Sequence, residues 1–433
     1  MIQVQGLTNH QLKQVAIDSG FMKRKSRKIS AVDLLTLICL ESQKGSPSYN
    51  DLAARFDSSY NVSPSKQAVW KRINTACVLF FQSALALLIK LKVTDQEKEA
   101  VKACGKYNRV IIQDSTIIQL PLNLFAQFSG VSNGHHQVCN ARIQGAYDLL
   151  SGSFLSFSID PYSKNDLKAA PDLELRDKDL VLRDRGYLSY AEIVRHITAG
   201  ADWIFRHKCR SQYLDPVSGR PINLTALLKK HQYLDIEVCL NNAEQTRVRL
   251  VAEPVSQEVA DNRRMKAKKE IHGRNPSAEV LSLMGWTIFL TSIPREEADF
   301  KKISKIYRLR WQIEMIFKTW KSHLHFDKIH HVSSNQLQIL LTARLTMIVL
   351  CMHKLFIPLR EKIYDQYNRD LSMFKFMNYI MKNQLQALPL ILSLFQVQND
   401  PNYQVYSKLI KYCCYDKRKR LNMTQLAKEV LLS

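Results

Sequence analysis

Residues 301–324 read KKISKIYRLRWQIEMIFKTWKSHL, with neither proline nor glycine and with apolar residues at steps of three and four. This spacing predicts one long amphipathic helix that buries a single stripe. The stripe consists of Ile306, Leu309, Ile313, Ile316, Phe317 and Trp320. A second, polar row runs beside it and consists of Tyr307, Arg310, Glu314, Lys318 and Lys321.

The polar row surrounds one carboxylate with cations. Tyr307, Glu314 and Lys321 follow each other at seven-residue steps, nearly two helical turns, so they share a face. Such a row is usually a solvated, salt-bridged helix face. The order Tyr, Arg, Glu and Lys, with two, three and six residues between them, nevertheless resembles the signature of the DDE transposases of the insertion-sequence 4 family. The resemblance implies two further aspartates on upstream strands.

Two aspartates stand where the resemblance requires them. RVIIQD at 109–114 has the apolar run of a buried strand ending in Asp114, and LVLRDRGY at 180–187 places Asp184 after a second strand. An aspartate after a strand is usually only a turn residue. Asp-Arg-Gly-Tyr at 184–187, however, resembles the family's second-aspartate motif. The resemblance thus implies that Asp114, Asp184 and Glu314 are the catalytic, metal-binding carboxylates.

Three carboxylates suit a hard divalent cation, so we expect Mg²⁺, with Mn²⁺ as a substitute. Two such ions could activate a nucleophile and stabilise the leaving 3′-oxygen of a phosphodiester. Simple ion pairing with nearby cations is the alternative. Because the chain has no glycine-rich phosphate cradle or Walker lysine, the reaction should need no ATP.

The other polar residues of the helix become candidates for DNA contact. Arg310 and Lys321 are placed to hold phosphates, and Lys318 is a further candidate. Arg310 could instead orient Glu314, and Tyr307 could bind a phosphate or simply pack. Trp286 stands 28 residues before Glu314. In hairpin-forming relatives an aromatic residue at a similar distance stacks on a flipped base, but a tryptophan opening an apolar strand is more often a core residue.

The first hundred residues predict a helical region with a DNA-reading helix. A basic run at 23–28 precedes the apolar helix 32–40, and SYNDLAARF and SPSKQAVWKRI then form a helix-turn-helix-like pair. On the second helix we expect Gln67, Lys71 and Arg72 to face outward and contact DNA. The alternative is an ordinary helical hairpin with a basic surface.

The bulk composition agrees with a DNA-binding enzyme. The chain has 433 residues, 62 Lys and Arg against 39 Asp and Glu, and a formal net charge of +23, which implies an anionic partner. Its apolar runs are too short for a membrane span, and its nine cysteines lack metal-ligand spacing. We therefore expect a soluble, cytoplasmic protein with reduced thiols.

The predicted fold is α/β: a ribonuclease-H-like catalytic core with a β-rich insertion, flanked by helical N-terminal and C-terminal regions. We expect a cut-and-paste transposase that binds element ends and target DNA as a homodimer. A metal-dependent nuclease without strand transfer and a transposase-derived DNA-binding protein are the alternatives. The expected parts are a DNA-binding region 1–105, a core formed by 106–208 and 286–360, the insertion 209–285 and the C-terminal region 361–433.

Overall fold

A computed structural model of the chain describes residues 7–23, 29–98, 105–130, 137–270, 275–324, 326–383, 403–415 and 423–432. Residues 24–28 of the basic run at 23–28 lie outside these residues. The described residues form 17 α-helices and nine strands. Two compact units divide the chain: Met1–Val101, Ser115–Leu173 and Gln312–Gln425 form the first, and Lys102–Asp114, Glu174–Trp311 and Leu426–Ser433 the second.

The helices before the insertion are α1 (Asn9–Asp18), α2 (Ala31–Glu41), α3 (Tyr49–Tyr60), α4 (Lys66–Arg72), α5 (Thr75–Lys98), α6 (Asp166–Ala169) and α7 (Tyr190–Thr198). Those that follow are α8 (Leu224–Lys230), α9 (Gln257–Glu270), α10 (Ala278–Leu283), α11 (Phe300–Arg308), α12 (Trp311–His323), α13 (Ser334–Leu350), α14 (Ile357–Tyr367), α15 (Met373–Lys382), α16 (Tyr403–Cys413) and α17 (Met423–Leu432). Many of these helices begin with a polar N-cap residue. The hydroxyls of Ser30, Ser48 and Ser65 each accept a hydrogen bond from a backbone N–H in the first turn of the helix that follows.

The strands are β1 (Arg109–Gln119), β2 (Asn140–Asp148), β3 (Ser153–Pro161), β4 (Asp179–Arg183), β5 (Asp202–Arg206), β6 (Tyr213–Leu214), β7 (Leu234–Leu240), β8 (Arg247–Pro254) and β9 (Trp286–Thr291). They form a mixed sheet in the order β3-β2-β1-β4-β5-β9-β8-β7-β6. β1, β4 and β5 run parallel to one another. β5 pairs antiparallel with β9, and the pairs β9–β8, β8–β7 and β7–β6 are also antiparallel. The strands of the insertion therefore extend the same sheet, which joins them through β9.

The first unit is built around α13, which packs against α2, α5 and β3. Nearly every α13 residue from Gln336 onward is buried. A π-helical segment, Cys351–Phe356, connects α13 to α14 just before Pro358, whose ring nitrogen has no hydrogen to donate. By length and composition 334–367 could cross a membrane, but 89% of its most apolar window is buried inside the protein, as in a core helix.

A buried arginine clamps the first unit together. Arg344 of α13 is 1% exposed, and its guanidinium reaches main-chain oxygens from two distant segments. It donates to the carbonyls of Ser42 (3.0 Å), Gly45 (2.9 Å), Phe326 (2.9 Å) and Lys328 (3.1 Å). Burial lowers the pKa of this guanidinium to about 10. Arg344 thus ties the turn after α2 to the segment after α12.

In the second unit the first half of β1 is buried on both faces, from Val110 to Gln113, as its continuous apolar run predicts. β4 is buried along its whole length, and β5 is buried at its three central residues. The unit also contains α11, which packs against β8. This arrangement places the end of β4 in the same unit as the turn that follows α11.

Most predicted elements are confirmed, including β4, α7, β8, the helix 32–40 and the helix pair at 49–72. The prediction of one unbroken helix over 301–324 is wrong. The helix ends at Arg308, turns through Leu309 and Arg310, and restarts at Trp311. The stripe is buried as predicted; all six residues are at most 4% exposed. The eight described cysteines are free thiols, and six of them are buried.

Candidate active site

Asp114 and Asp184 occupy neighbouring positions on two parallel strands. β1 and β4 pair from Arg109–Asp179 to Gln113–Arg183, so the next residue of each chain segment is an aspartate. Parallel neighbours are spaced about 4.8 Å apart. Gln113 and Arg183 are buried, whereas Asp114 and Asp184 are partly exposed. Asp184 follows the end of β4 as predicted, but β1 continues past Asp114 to Gln119, so Asp114 marks the end of the β1–β4 pairing and not of the strand.

The turn between α11 and α12 faces both aspartates. Arg310 Nη1 lies 2.5 Å from Asp114 Oδ2, and both side chains are largely buried, at 11% and 19% exposure. The Tyr307 hydroxyl lies 3.3 Å from the Arg183 carbonyl and 3.4 Å from Asp184 Oδ1, and these two acceptors share its one hydrogen. Burial, and then the neighbouring Asp184 charge, raise the pKa of the Tyr307 hydroxyl, so it remains a hydrogen-bond donor.

The helix break at Leu309 and Arg310 places Tyr307, Arg310 and Glu314 on three different elements. Tyr307 belongs to α11, Arg310 to the turn, and Glu314 to the first turn of α12. Tyr307 and Glu314 therefore do not stack on one continuous helix as predicted. Glu314 is partly exposed and follows Arg310 by four residues.

Further along α12 the two lysines differ. Lys318 is exposed, whereas Lys321 is partly buried and donates from Nζ to the Ile117 carbonyl of β1 at 2.6 Å. Burial lowers the pKa of the Lys321 ammonium. Lys321 therefore also fastens α12 to the second half of β1, a structural role that its sequence position did not indicate.

A buried network behind Asp184 was not predicted. Arg183, 1% exposed, forms a 2.5 Å ion pair with Glu192 of α7. The buried His196 ring donates from Nδ1 to the Glu192 carbonyl at 2.6 Å, and burial lowers its pKa to about 3, so it is neutral. Arg183 thus anchors the end of β4, and with it the residue before Asp184. Arg183 directly follows the apolar residues 180–182, and a charged residue at the end of a buried strand could have indicated this network.

Trp286 begins β9 and is partly exposed, so it is not a fully buried core residue. Its carbonyl accepts a 3.0 Å hydrogen bond from Arg263 of α9. α9 itself was not predicted as a helix, because its polar residues form no apolar stripe.

On α4, Gln67 and Lys71 are exposed as expected, whereas Val69 and the following Ile73 are buried. The expectation that Arg72 faces outward is wrong. Its guanidinium donates to the carbonyls of Phe21 (3.3 Å) and Ile29 (3.2 Å) and lies 4.2 Å from the Phe21 ring centre. Arg72 holds α4 against the segment between α1 and α2. Trp70, 58% exposed, lies on the same short helix and was not singled out from the sequence.

The sheet, the neighbouring Asp114 and Asp184, and the turn that carries Arg310 together define the class of the protein. The family described as "Transposase DDE domain" matches residues 106–350, more than half of the chain. The chain therefore belongs to the DDE transposases, enzymes that cleave and transfer DNA, and its core is ribonuclease-H-like. This confirms the predicted fold class and enzyme class.

Its relatives place it among the insertion-sequence 4 transposases. It is 28% identical to the transposase for insertion sequence element IS231F of Bacillus thuringiensis subsp. israelensis, over 85% of this chain and 82% of the relative. It is 24% identical to the IS1151 transposase of Clostridium perfringens (79% and 77% covered) and 25% identical to the IS421 transposase of Escherichia coli (74% and 83% covered). The protein is thus a bacterial-type insertion-sequence transposase that binds DNA.

DDE transposases use a divalent metal, and the paired aspartates offer the oxygen ligands that such an ion prefers. In this structure the Asp114 carboxylate accepts from Arg310, so a cationic group already neutralises one member of the pair. Within the described ranges, no group of three or more His, Cys, Asp or Glu side chains is arranged to hold a metal. As carboxylates, Asp114 and Asp184 could serve as two oxygen ligands of a divalent ion.

Proposed function

We propose that the protein excises and inserts its element by cut-and-paste, with Asp114, Asp184 and Glu314 holding Mg²⁺ and with Mn²⁺ able to replace it. The observation that supports this most directly is that Asp114 and Asp184 each come immediately after the last paired residues of two neighbouring parallel strands. Glu314 follows four residues after Arg310, the residue that contacts Asp114.

When bound, two such ions supply a hydroxide-like nucleophile and stabilise the leaving 3′-oxygen. The chain's own residues prepare the site. Tyr307 fixes the orientation of the Asp184 carboxylate through its hydroxyl. Arg310, largely shielded from solvent, is suited to hold a phosphate of the DNA end, because its guanidinium can bind two phosphate oxygens at once. The exposed Lys318 and the partly buried Lys321 add phosphate contacts along α12.

The partners follow from the same chemistry. We propose a homodimer in the cytoplasm that brings two terminal inverted repeats and a target duplex together. In this scheme 1–105 reads the repeats, the core of 106–208 and 286–360 cuts and joins, 209–285 is the β-rich insertion, and 361–433 supports assembly.

The test uses the purified full-length chain, linear DNA that carries both element ends, a target plasmid and Mg²⁺. We expect cleavage at the ends followed by joined products in the plasmid, and neither product in EDTA. Cleavage without joining would identify a nuclease instead. Binding of the ends with no cleavage would identify a DNA-binding protein derived from a transposase.

Replacing Lys71 by Ala should weaken binding to end DNA through the loss of one phosphate contact. We expect the slope of log affinity against log salt to decrease by about 0.9. The exposed Lys13 of α1 is the matched control, and Lys13→Ala should leave the slope unchanged. Equal slopes for Lys71→Ala and the wild type would remove α4 from the DNA interface. The full chain is required, because α2 and α5 bury their faces against α13.

Gln67→Ala tests base reading on the same helix. An amide that reads a base contributes about 1–3 kcal/mol of discrimination. We therefore expect the variant to bind the repeat and a scrambled duplex with more similar affinities, while its salt slope stays unchanged. Unaltered discrimination would show that Gln67 does not read a base.

Trp286→Ala tests whether the partly exposed indole stacks on a flipped base during hairpin formation. Stacking recovers about 1–3 kcal/mol per base, so hairpin closure should slow roughly 10–100-fold while the first nick persists. Nicked ends should accumulate on a denaturing gel. Trp286→Phe keeps an aromatic face and should close hairpins far faster. Normal hairpin yield from a folded Trp286→Ala protein would make Trp286 a packing residue.

A further inference from the structure

Helix α9 is fastened to β9 by Arg263 and to α10 by Arg264. Arg263 donates to the Trp286 carbonyl at 3.0 Å and to the Thr287 hydroxyl at 3.3 Å. Arg264 donates to the Leu281 carbonyl at 3.2 Å and to Asp261 at 2.8 Å. Burial lowers the pKa of Arg263, as expected for a guanidinium engaged with the protein interior. One face of α9 therefore sits on the start of β9, beside Trp286.

The remaining cations of α9 face the solvent. Residues 262–269, NRRMKAKK, contain five cations and no acid. With both arginines turned toward the protein, the three exposed cations are Lys266, Lys268 and Lys269. The outer face of α9 therefore presents three exposed lysines that would attract an anionic partner.

We infer that the outer face of α9 binds the phosphate backbone of the DNA end. The inference rests on the proposed function and adds a contact surface to it within the insertion. A lysine ammonium is a mobile point charge suited to phosphates that need no specific geometry. Because Arg263 bonds α9 to the Trp286 carbonyl, a DNA end that reaches Trp286 would come close to the helix that carries these lysines. The contact is sequence-independent and strengthens binding electrostatically.

The chain supplies a matched control for this surface. Lys268 and Lys269 are adjacent, exposed lysines in the last turn of α9, and Lys229 and Lys230 are adjacent, exposed lysines in the last turn of α8. Both pairs belong to the insertion and interact equally with a helix C-terminus. Only the α9 pair lies on the helix bonded to Trp286. We compare K268Q/K269Q with K229Q/K230Q in the full-length protein.

The measurement is the affinity for a labelled duplex that ends at the terminal repeat bordering this gene, from 50 to 200 mM salt in EDTA. Each phosphate contact contributes about 0.9 to the salt slope, so K268Q/K269Q should lower the slope by about 1.8. The wild type should then lose about tenfold more affinity over this range than K268Q/K269Q. K229Q/K230Q should match the wild type, and K268R/K269R should restore the slope.

Two results would overturn the inference: an unchanged slope in K268Q/K269Q, or an equal decrease in K229Q/K230Q, which would mean that only overall charge matters. Neither result depends on catalysis, because EDTA prevents cleavage. A wild-type protein that binds ends but never cuts them would refute the proposed function and leave the α9 contact standing.

Discussion

Asp184→Asn should abolish cleavage of element ends, and Asp114→Asn and Glu314→Gln should do the same. The amide keeps the size of the side chain but loses the charge that a divalent ion requires. Loss of a residue that only supports a metal ligand costs about 10–100-fold. Loss of a ligand itself should therefore exceed that range, and we expect at least about a thousandfold decrease in the rate of first-strand nicking, measured with end-labelled DNA.

The controls separate chemistry from binding and folding. Asp160→Asn makes the same change at a carboxylate that pairs with the exposed Lys164, and it should cut at the wild-type rate. All variants should bind end DNA within a few-fold of the wild type. Since the three carboxylates act as one unit, a double variant should be no slower than a single one. Any single variant that nicks at close to the wild-type rate removes its residue from the site.

The parts of the fold that depend on local sequence could be predicted. β1 and β4 follow from their apolar runs, and the buried stripe from Ile306 to Trp320 follows from its spacing. These patterns hold because side-chain periodicity is set by backbone geometry and does not require knowledge of distant partners. The same reasoning placed Asp184 directly after its strand.

The helix break at Leu309 and Arg310 could not be predicted, because both are good helix formers. Arg310 meets Asp114, which is 196 residues away in sequence, so this contact is invisible to a local pattern. Arg72 is a similar case. Its spacing on α4 suggests an outward cation, but carbonyls 43 and 51 residues earlier in the chain take up its guanidinium. In both cases a tertiary contact decides the position of a charged side chain that the sequence alone assigns to solvent or DNA.

Arg344→Met should lower the thermal unfolding temperature of the protein more than any surface substitution. The arginine donates to four main-chain carbonyls in a setting that is buried or partly buried, and methionine can donate to none. An unmet buried acceptor costs about 1–3 kcal/mol, so losing the donor to four such carbonyls should cost at least about 3–5 kcal/mol. At about 2–4 °C per kcal/mol for a unit of this size, we expect a decrease of about 6–20 °C.

Arg55→Met is the matched control, since Arg55 lies in the same unit, is 51% exposed and pairs with Glu41 at 3.4 Å on the surface. A surface pair contributes about 0–1 kcal/mol, so this variant should unfold within about 4 °C of the wild type. Arg344→Lys should fall between the two, because one ammonium retains the charge but cannot reach all four carbonyls. Circular dichroism during heating measures all three variants. If Arg344→Met unfolded together with Arg55→Met, the segments after α2 and after α12 would be held by apolar packing on α13 alone, and the guanidinium clamp would contribute nothing measurable.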